Sequence, residues 1–165
     1  MYPVRLGYDG AISRVNKLLR NGHDAEAFVT AVFTIEKTFY RVLKQLVISA
    51  GFPSAQAEVL LQGSRGFENI KRVWECFDPR HERLPVFLKP KHLQLIFEAQ
   101  TMRNDLVHGK KVFGLSKCRE KAKELLTVLA EVRKVFQRRY GFDGWSKIKR
   151  RATSTLHSDP RVRVS

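Results

Sequence analysis

The feature that most constrains the fold is a long segment, residues 24–50, in which apolar side chains recur at helical spacing along two adjacent stripes. Asp24 suits the N-cap of such a helix, and Gly51-Phe52-Pro53 suits its end. Two stripes predict burial over about half of the circumference, which places this helix at the centre of a bundle. The stripes are Phe28, Val32, Ile35, Phe39, Val42 and Leu46, and beside them Val29, Phe33, Glu36, Tyr40, Leu43 and Val47.

Helical periodicity continues along nearly the whole chain, and no strand run or hairpin signal interrupts it. The fold class is therefore predicted to be all-α, a helical bundle of four main helices plus short helices. A helical domain over residues 1–145 is expected, followed by a basic tail over 146–165 without periodicity, expected to be flexible. The other predicted helices span residues 9–20, 54–62, 67–77, 91–108 and 116–139, with a loop at 78–90 and Ser116 as the last N-cap.

The charge of the chain predicts a polyanionic partner. Lys and Arg number 31 against 16 Asp and Glu, a formal net charge of +15 over 165 residues. Nucleic acid is the first expectation and an anionic membrane surface the second. No apolar run approaches the roughly 20 residues that span a bilayer, and no signal peptide is evident. Cys76 and Cys118 stand apart from each other and are typical of buried thiols in a reducing compartment, so a cytoplasmic location without membrane contact is expected.

The candidate site is the segment Arg103-Asn104-Asp105-Leu106-Val107-His108-Gly109. Arginine supplies a permanent cation whose planar fork suits phosphate oxygens. Histidine can take and give a proton near neutral pH. Gly109 suits a left-handed residue just after a helix, which puts His108 at the last turn. These residues are a minimal set for cleaving RNA without a metal.

Helical spacing gives this segment an outward face. Asn104 and His108 are four residues apart and share a side with Phe97 and Thr101, nearly opposite the apolar stripe of the same helix. An aromatic residue beside polar groups on an outward face predicts a symmetric contact between two copies of the chain. The alternative is a monomer in which the 78–90 loop covers Phe97.

An arginine, a polar residue, three further residues and a histidine before glycine, late in a small helical domain, resemble the HEPN superfamily. The resemblance covers roughly residues 8–140 and rests on residues 103–109. It implies a helical bundle, a homodimer, and a ribonuclease of toxin–antitoxin or phage-defence type. A partner antitoxin, often a small nucleotidyltransferase, is implied as well. In such an enzyme His108 would be the acid–base group, Arg103 would stabilise the phosphate, and Asn104 would hold the geometry.

Further residues are assigned to supporting roles. Glu36 interrupts an apolar stripe, and a buried carboxylate needs a partner, for which Arg103 is suitable. The alternative is that Glu36 reaches water at the edge of the stripe. The cations near the motif are predicted to bind RNA, whereas those of the tail are generic. The predicted RNA-binding residues are Lys110, Lys111, Lys117, Arg119 and Lys121; the generic ones include Lys147, Lys149, Arg150 and Arg151.

No cofactor or metal is expected, because His23, His81, His92 and His157 lack partners at ligand spacing and are predicted to lie on the surface. For His108 the alternative is an ordinary histidine at a helix end, where positive side chains are common. Two other functions stay open from the sequence. One is a non-catalytic HEPN-like RNA-binding or regulatory module. The other is an unrelated basic helical protein that binds DNA or a membrane.

Overall fold

The computed structural model describes residues 7–64, 66–156 and 161, and all regular structure within them is helical. The all-α prediction is confirmed. One short helix lies inside the segment predicted as a loop, where Pro85 in the first turn presets the backbone for a helical start. The helices are α1 (Tyr8–Arg20), α2 (Asp24–Ser49), α3 (Ser54–Leu61), α4 (Phe67–Phe77), α5 (Leu84–Phe87), α6 (Pro90–Val107) and α7 (Leu115–Tyr140).

Helix α2 lies at the centre and packs against α1, α3, α4, α6 and α7. Its first apolar stripe is buried along the whole length, with Phe39 edge-on to the rings of Phe67 and Phe136. The second stripe is buried at Leu43 and Val47, but Phe33 is 52% exposed. Burial over about half of the circumference is confirmed, but in the N-terminal half of α2 the second stripe is not part of the buried side, which includes Ala27 and Ala31 instead.

Two predicted helix caps are wrong. Helix α2 begins at Asp24 itself, and no side chain caps it. The Asp24 carboxylate instead lies 3.1 Å from the Arg119 guanidinium on α7. Helix α7 begins at Leu115, after Gly114, so Ser116 is already inside the first turn. In the first case a distant cation competes successfully with the local backbone N–H groups for the carboxylate.

A buried carboxylate holds the connection from α4 to α6. The Asp78 side chain accepts hydrogen bonds from Arg139 and Tyr140 at the end of α7 and from the backbone N–H groups of Arg80 and Glu82. Burial alone would raise the pKa of Asp78, but these donors prevail and lower it to about 2. The loop that leads into α6 is thereby tied to the end of α7.

The chain beyond α7 returns along α2. We call residues 144–151 the C-terminal strap. The Arg41 guanidinium donates to the carbonyl oxygens of Gly144 and Ser146 at 2.6 and 2.7 Å, and Arg151 donates to the carbonyl of Ile48. The packed chain thus extends past the predicted boundary at residue 145. Of the predicted flexible tail, residues 157–160 and 162–165 lie outside the described residues.

The structure tests the burial predicted for both cysteines and for His92. Cys118 is buried as expected, but Cys76 is exposed, because α4 buries its other face. His92 was predicted on the surface and is buried, with Nε2 at 3.2 Å from the Glu131 carboxylate on α7. Burial lowers the pKa of His92 despite that carboxylate. His157 lies outside the described residues. None of the described helices has the length and apolar character needed to cross a membrane.

Candidate functional site

The end of α6 is closed by a defined backbone motif. Gly109 has φ +64°, the left-handed conformation that the sequence predicts for it. Its N–H donates to the Leu106 carbonyl, and the N–H of Lys110 donates to the Asp105 carbonyl at 2.8 Å. This pair of bonds is the Schellman closure of a helix. It fixes the backbone of His108, whose exposed side chain makes no hydrogen bond or ion pair with the described residues.

Arg103 points from α6 toward α2 and pairs with Glu36. Its Nη2 lies 2.8 Å from the carboxylate oxygen Oε1, and each side chain is 15% exposed. Gln100 donates to the same oxygen at 2.9 Å, and the guanidinium stacks over the Phe33 ring at 4.8 Å. The partner predicted for Glu36 is therefore present, although the carboxylate still lines a depression that is open to solvent.

The ion pair between Arg103 and Glu36 orients the guanidinium more than it stabilises the fold. Burial raises the pKa of Glu36, and the opposing effects of Arg103 and Gln100 only partly compensate. A partly buried ion pair adds little net stability, because both charges lose their hydration. What the pair does provide is a fixed direction for the guanidinium, with its Nε buried and without an acceptor among the described residues. Only a small part of Arg103 remains open to a ligand.

A shallow depression lies beside this pair, between α2, the start of α4 and α6. We call it the α2–α6 groove; Phe33, Glu36, Phe97, Arg103 and Asn104 are among the residues that line it. Phe97 is 43% exposed there, instead of being covered by the 78–90 loop. The structure therefore brings Arg103, Asn104 and Glu36 together. His108 lies one helical turn further along, outside the lining of the groove.

Arg119, one of the predicted RNA-binding cations, is part of the scaffold. Besides its ion pair with the buried Asp24, it donates to the Leu19 carbonyl at 2.5 Å. These two contacts connect α7 to the end of α1 and the beginning of α2. Its guanidinium is thus committed to holding three helices together, which leaves it less able to bind a phosphate.

The other predicted RNA-binding cations lie in a region of mixed charge. Lys110 is exposed and forms no ion pair within the described part of the chain. Of the remaining three, two lie near a carboxylate and one lies over an aromatic ring. These are Lys111 with Asp105 at 3.6 Å, Lys121 with Glu124 at 3.5 Å, and Lys117 over the Phe113 ring at 5.2 Å.

Sequence reasoning missed a second cationic region, where the strap lies against α2. Lys37, Arg41 and Lys44 follow Phe33 on α2 at intervals of four, four and three residues, which places them on one face of the helix. That third stripe could have been recognised from the sequence. Its juxtaposition with the cations of the strap could not, because residues about one hundred positions apart form it.

Metal-ligating side chains are dispersed in the structure. Within residues 7–64 and 66–156, no three His, Cys, Asp or Glu side chains converge as a ligand set would. The acidic residues that line the α2–α6 groove are Glu36, held by Arg103, and Glu68. The three side chains that the sequence singles out near the end of α6 are thus a guanidinium, an amide and an imidazole.

Comparisons of the chain with protein-family models, with curated proteins and with solved structures gave no significant match. The HEPN resemblance therefore stays a prediction that rests on residues 103–109.

Proposed function

We propose that this protein is a metal-independent endoribonuclease of the HEPN type, acting as a toxin or in phage defence. The observation that carries the proposal is at the end of α6. There an arginine is fixed in direction by Glu36, and the same helix closes on an exposed histidine without a partner among the described residues. Transesterification of RNA requires a cation that stabilises the phosphate and a group that exchanges protons, and this end of α6 carries one of each.

The proposed reaction uses the substrate's own nucleophile. His108 removes the proton from a ribose 2′-OH, and the 2′ oxygen attacks the adjacent phosphorus. The bond from phosphorus to the 5′ oxygen breaks, and that oxygen leaves with a proton as a 5′-OH. The other product is a 2′,3′-cyclic phosphate. Arg103 stabilises the negative charge that builds on the phosphate oxygens, while Asn104 orients the phosphate or the imidazole.

Two proton transfers require a base and an acid, whereas each chain contributes one histidine at this position. A two-fold dimer would supply both from two copies of His108 across a shared cleft. The exposed Phe97 on the same side of α6 supports such a contact. A homodimer, a cytoplasmic location and an antitoxin such as a small nucleotidyltransferase belong to this proposal.

Purified protein incubated with total RNA in excess EDTA tests the proposal. We expect fragments that end in 2′,3′-cyclic phosphate and 5′-OH, formed by wild type and by His23→Ala. The second variant is a matched control, because His23 is also an exposed histidine at a helix boundary. His108→Ala should reduce cleavage by at least about a hundredfold, the usual contribution of an acid–base group. Cleavage that vanishes with EDTA and returns with Mg²⁺ would contradict the mechanism.

The second candidate is a non-catalytic RNA-binding or regulatory module with the same fold. A specific observation favours it: Arg103 is 85% covered and its charge is already offset by Glu36, while His108 lies outside the groove. The same assay separates the two candidates. RNA that is bound but stays intact, with no difference between wild type and His108→Ala, supports the module.

A further inference from the structure

The strap and α2 enclose a groove with a strongly positive lining. We call it the strap groove; its charged and aromatic residues are Lys37, Arg41, Lys44, Trp145, Lys147 and Arg150. No carboxylate lines it among the residues that the structure describes. Five cations around one depression create a positive field that attracts phosphate groups.

The cations of this groove fall into two kinds. Arg41 holds the strap carbonyls, and Lys44 pairs with Glu58, so both have structural partners. Lys147 and Arg150 are exposed and form no ion pair within the described residues. Lys37 is exposed as well, with its ammonium 5.9 Å from the Trp145 ring. Lys147 and Arg150 are thus free for a ligand, and Lys37, like Lys117 on α7, contacts only an aromatic ring.

Trp145 provides an aromatic surface, held in place by its neighbours, at the end of the strap groove that is nearer to Phe33. Its indole N–H donates to Thr38 Oγ1 at 3.0 Å, and its ring meets Tyr8 edge-on at 5.7 Å. The ring is only partly buried. An aromatic ring held in place beside cations is how proteins bind single-stranded nucleic acid, with a base stacked on the ring and the phosphates on the cations.

The strap groove is linked to the α2–α6 groove by an intermediate depression that shares lining residues with both. A third depression, lined by Arg14, Phe33, Lys37 and Trp145 among others, lies between the two grooves. It shares Lys37 and Trp145 with the strap groove and Phe33 with the α2–α6 groove. From Phe33 to Lys44 the path follows about 16 Å of α2, at about 1.5 Å per residue.

From this arrangement we infer that a single strand of RNA lies along α2, from the α2–α6 groove through Trp145 to Lys147 and Arg150. The choice of RNA as the polyanion rests on the proposed function. The concave shape of the path and its aromatic ring favour a strand over a membrane, whose headgroups form a flat surface. The strand-binding cations are therefore those of α2 and the strap, and the cluster at the start of α7 contributes less.

Binding of a fluorescent 2′-O-methyl oligoribonucleotide tests this, because such a strand lacks the 2′-OH nucleophile and is not cleaved. The full-length chain is titrated at several salt concentrations. Lys37→Glu/Lys147→Glu should weaken binding by at least about tenfold. It should also lower the salt slope by about 1.4, since each single-strand phosphate contact contributes about 0.7. Binding should quench the fluorescence of Trp145, whereas Trp74 is fully buried.

Two charge-matched controls make the result decisive. Lys91→Glu/Lys134→Glu changes two exposed lysines outside the path, and Lys117→Glu/Lys121→Glu changes the cluster on α7. The first pair should bind within about threefold of wild type, and the α7 pair should lose less binding than Lys37→Glu/Lys147→Glu. Lys37→Ala/Lys147→Ala, which removes charge without reversing it, should give a smaller loss in the same direction. Equal losses in all the reversal pairs, or a larger loss in the α7 pair, would overturn the inference.

Two further experiments test whether the ligand is RNA or a membrane, and whether strand binding and RNA cleavage stand or fall independently. Vesicles of phosphatidylserine and phosphatidylcholine should not bind through Lys37 and Lys147; a loss of vesicle binding with unchanged RNA binding would overturn the inference. Wild type that binds the oligonucleotide through these residues but never cleaves unmodified RNA would support the strand path and refute the proposed ribonuclease. If wild type cleaves unmodified RNA but Lys37→Glu/Lys147→Glu does not weaken binding, the ribonuclease is supported and the strand path is refuted.

Discussion

The ion pair between Arg103 and Glu36 fixes the direction of the guanidinium, but it costs folding free energy because the carboxylate is partly buried. Burial raises the pKa of Glu36, so the ionised carboxylate is retained at the expense of some folding free energy. A group with a raised pKa stabilises the fold fully below about pH 4.5, its unfolded value, and this contribution is lost as the pH rises through the folded value. Removing Arg103 raises the folded pKa further, because the nearest cation disappears.

Replacing Arg103 by leucine should therefore lower the free energy of unfolding by about 1–3 kcal/mol at pH 7, the cost of leaving a partly buried carboxylate without its cation. The loss should be smaller at pH 5. Adding Glu36→Gln to Arg103→Leu should recover part of it. Urea unfolding at both pH values measures these changes, with the exposed Arg72→Leu as control. A pH-independent loss, or a double variant no more stable than Arg103→Leu, would show that the pair is not coupled in this way.

On the scale of secondary-structure elements, the C-terminal strap depends on close contact with α2. Gly144 has φ +94°, and a Cβ at this position would lie 2.9 Å from the Thr38 carbonyl oxygen. Gly141, three residues earlier, also has positive φ, +65°, but a Cβ there would meet nothing within 4 Å. A comparison of the two glycines therefore distinguishes the cost of the left-handed backbone, which both share, from the cost of a close contact, which only Gly144 has.

Gly141→Ala should cost only the left-handed conformation, about 1 kcal/mol. Gly144→Ala should cost on the order of 3 kcal/mol, or else release the strap from α2. Release would expose Trp145 and shift its fluorescence to longer wavelength, while Trp74 stays in the core. Urea unfolding and emission spectra of the two variants distinguish these outcomes. Equal stability of both variants, with unshifted emission, would mean that the contact with Thr38 is easily relaxed.

Across the whole molecule, apolar exposure and positive charge lie on connected surfaces. Phe33 and Phe97 are 52% and 43% exposed and line the same groove as Arg103. Exposed aromatic residues beside a charged pair are typical of interfaces, where they supply the buried anchor. The proposed dimer would cover Phe97 and leave the strap groove at its edge.

Light scattering coupled to size-exclusion chromatography tests the dimer. Wild type should have twice the mass of one chain, and Phe97→Asp should shift it to the monomer and reduce cleavage. Val86→Asp is the matched control, because Val86 is also exposed, at 64%, on the separate helix α5. A monomeric wild type that cleaves RNA fully would rule out a cleft shared by two chains.

Much of this architecture follows from local patterns. The apolar stripe from Phe28 to Leu46 predicts α2 and its central place, because helical spacing alone decides which side chains share a face. Gly109 predicts the closure of α6 for the same reason: a left-handed residue is a local requirement. The Glu36 carboxylate within an apolar stripe predicts a cationic partner, and Arg103 was the natural choice. These features were accessible because each depends on neighbours in sequence or on one strong physical demand.

Only the tertiary structure decided which charges are free. Asp24 was expected to cap a helix and instead binds Arg119, and His92 was expected in water and instead faces Glu131. The strap meets α2 through bonds between residues about one hundred positions apart, such as Arg41 and Gly144. Helical periodicity gives the face of a side chain but not the element opposite it. The cations left free by these pairings, and hence the expected path of the strand, emerge only once the helices are packed.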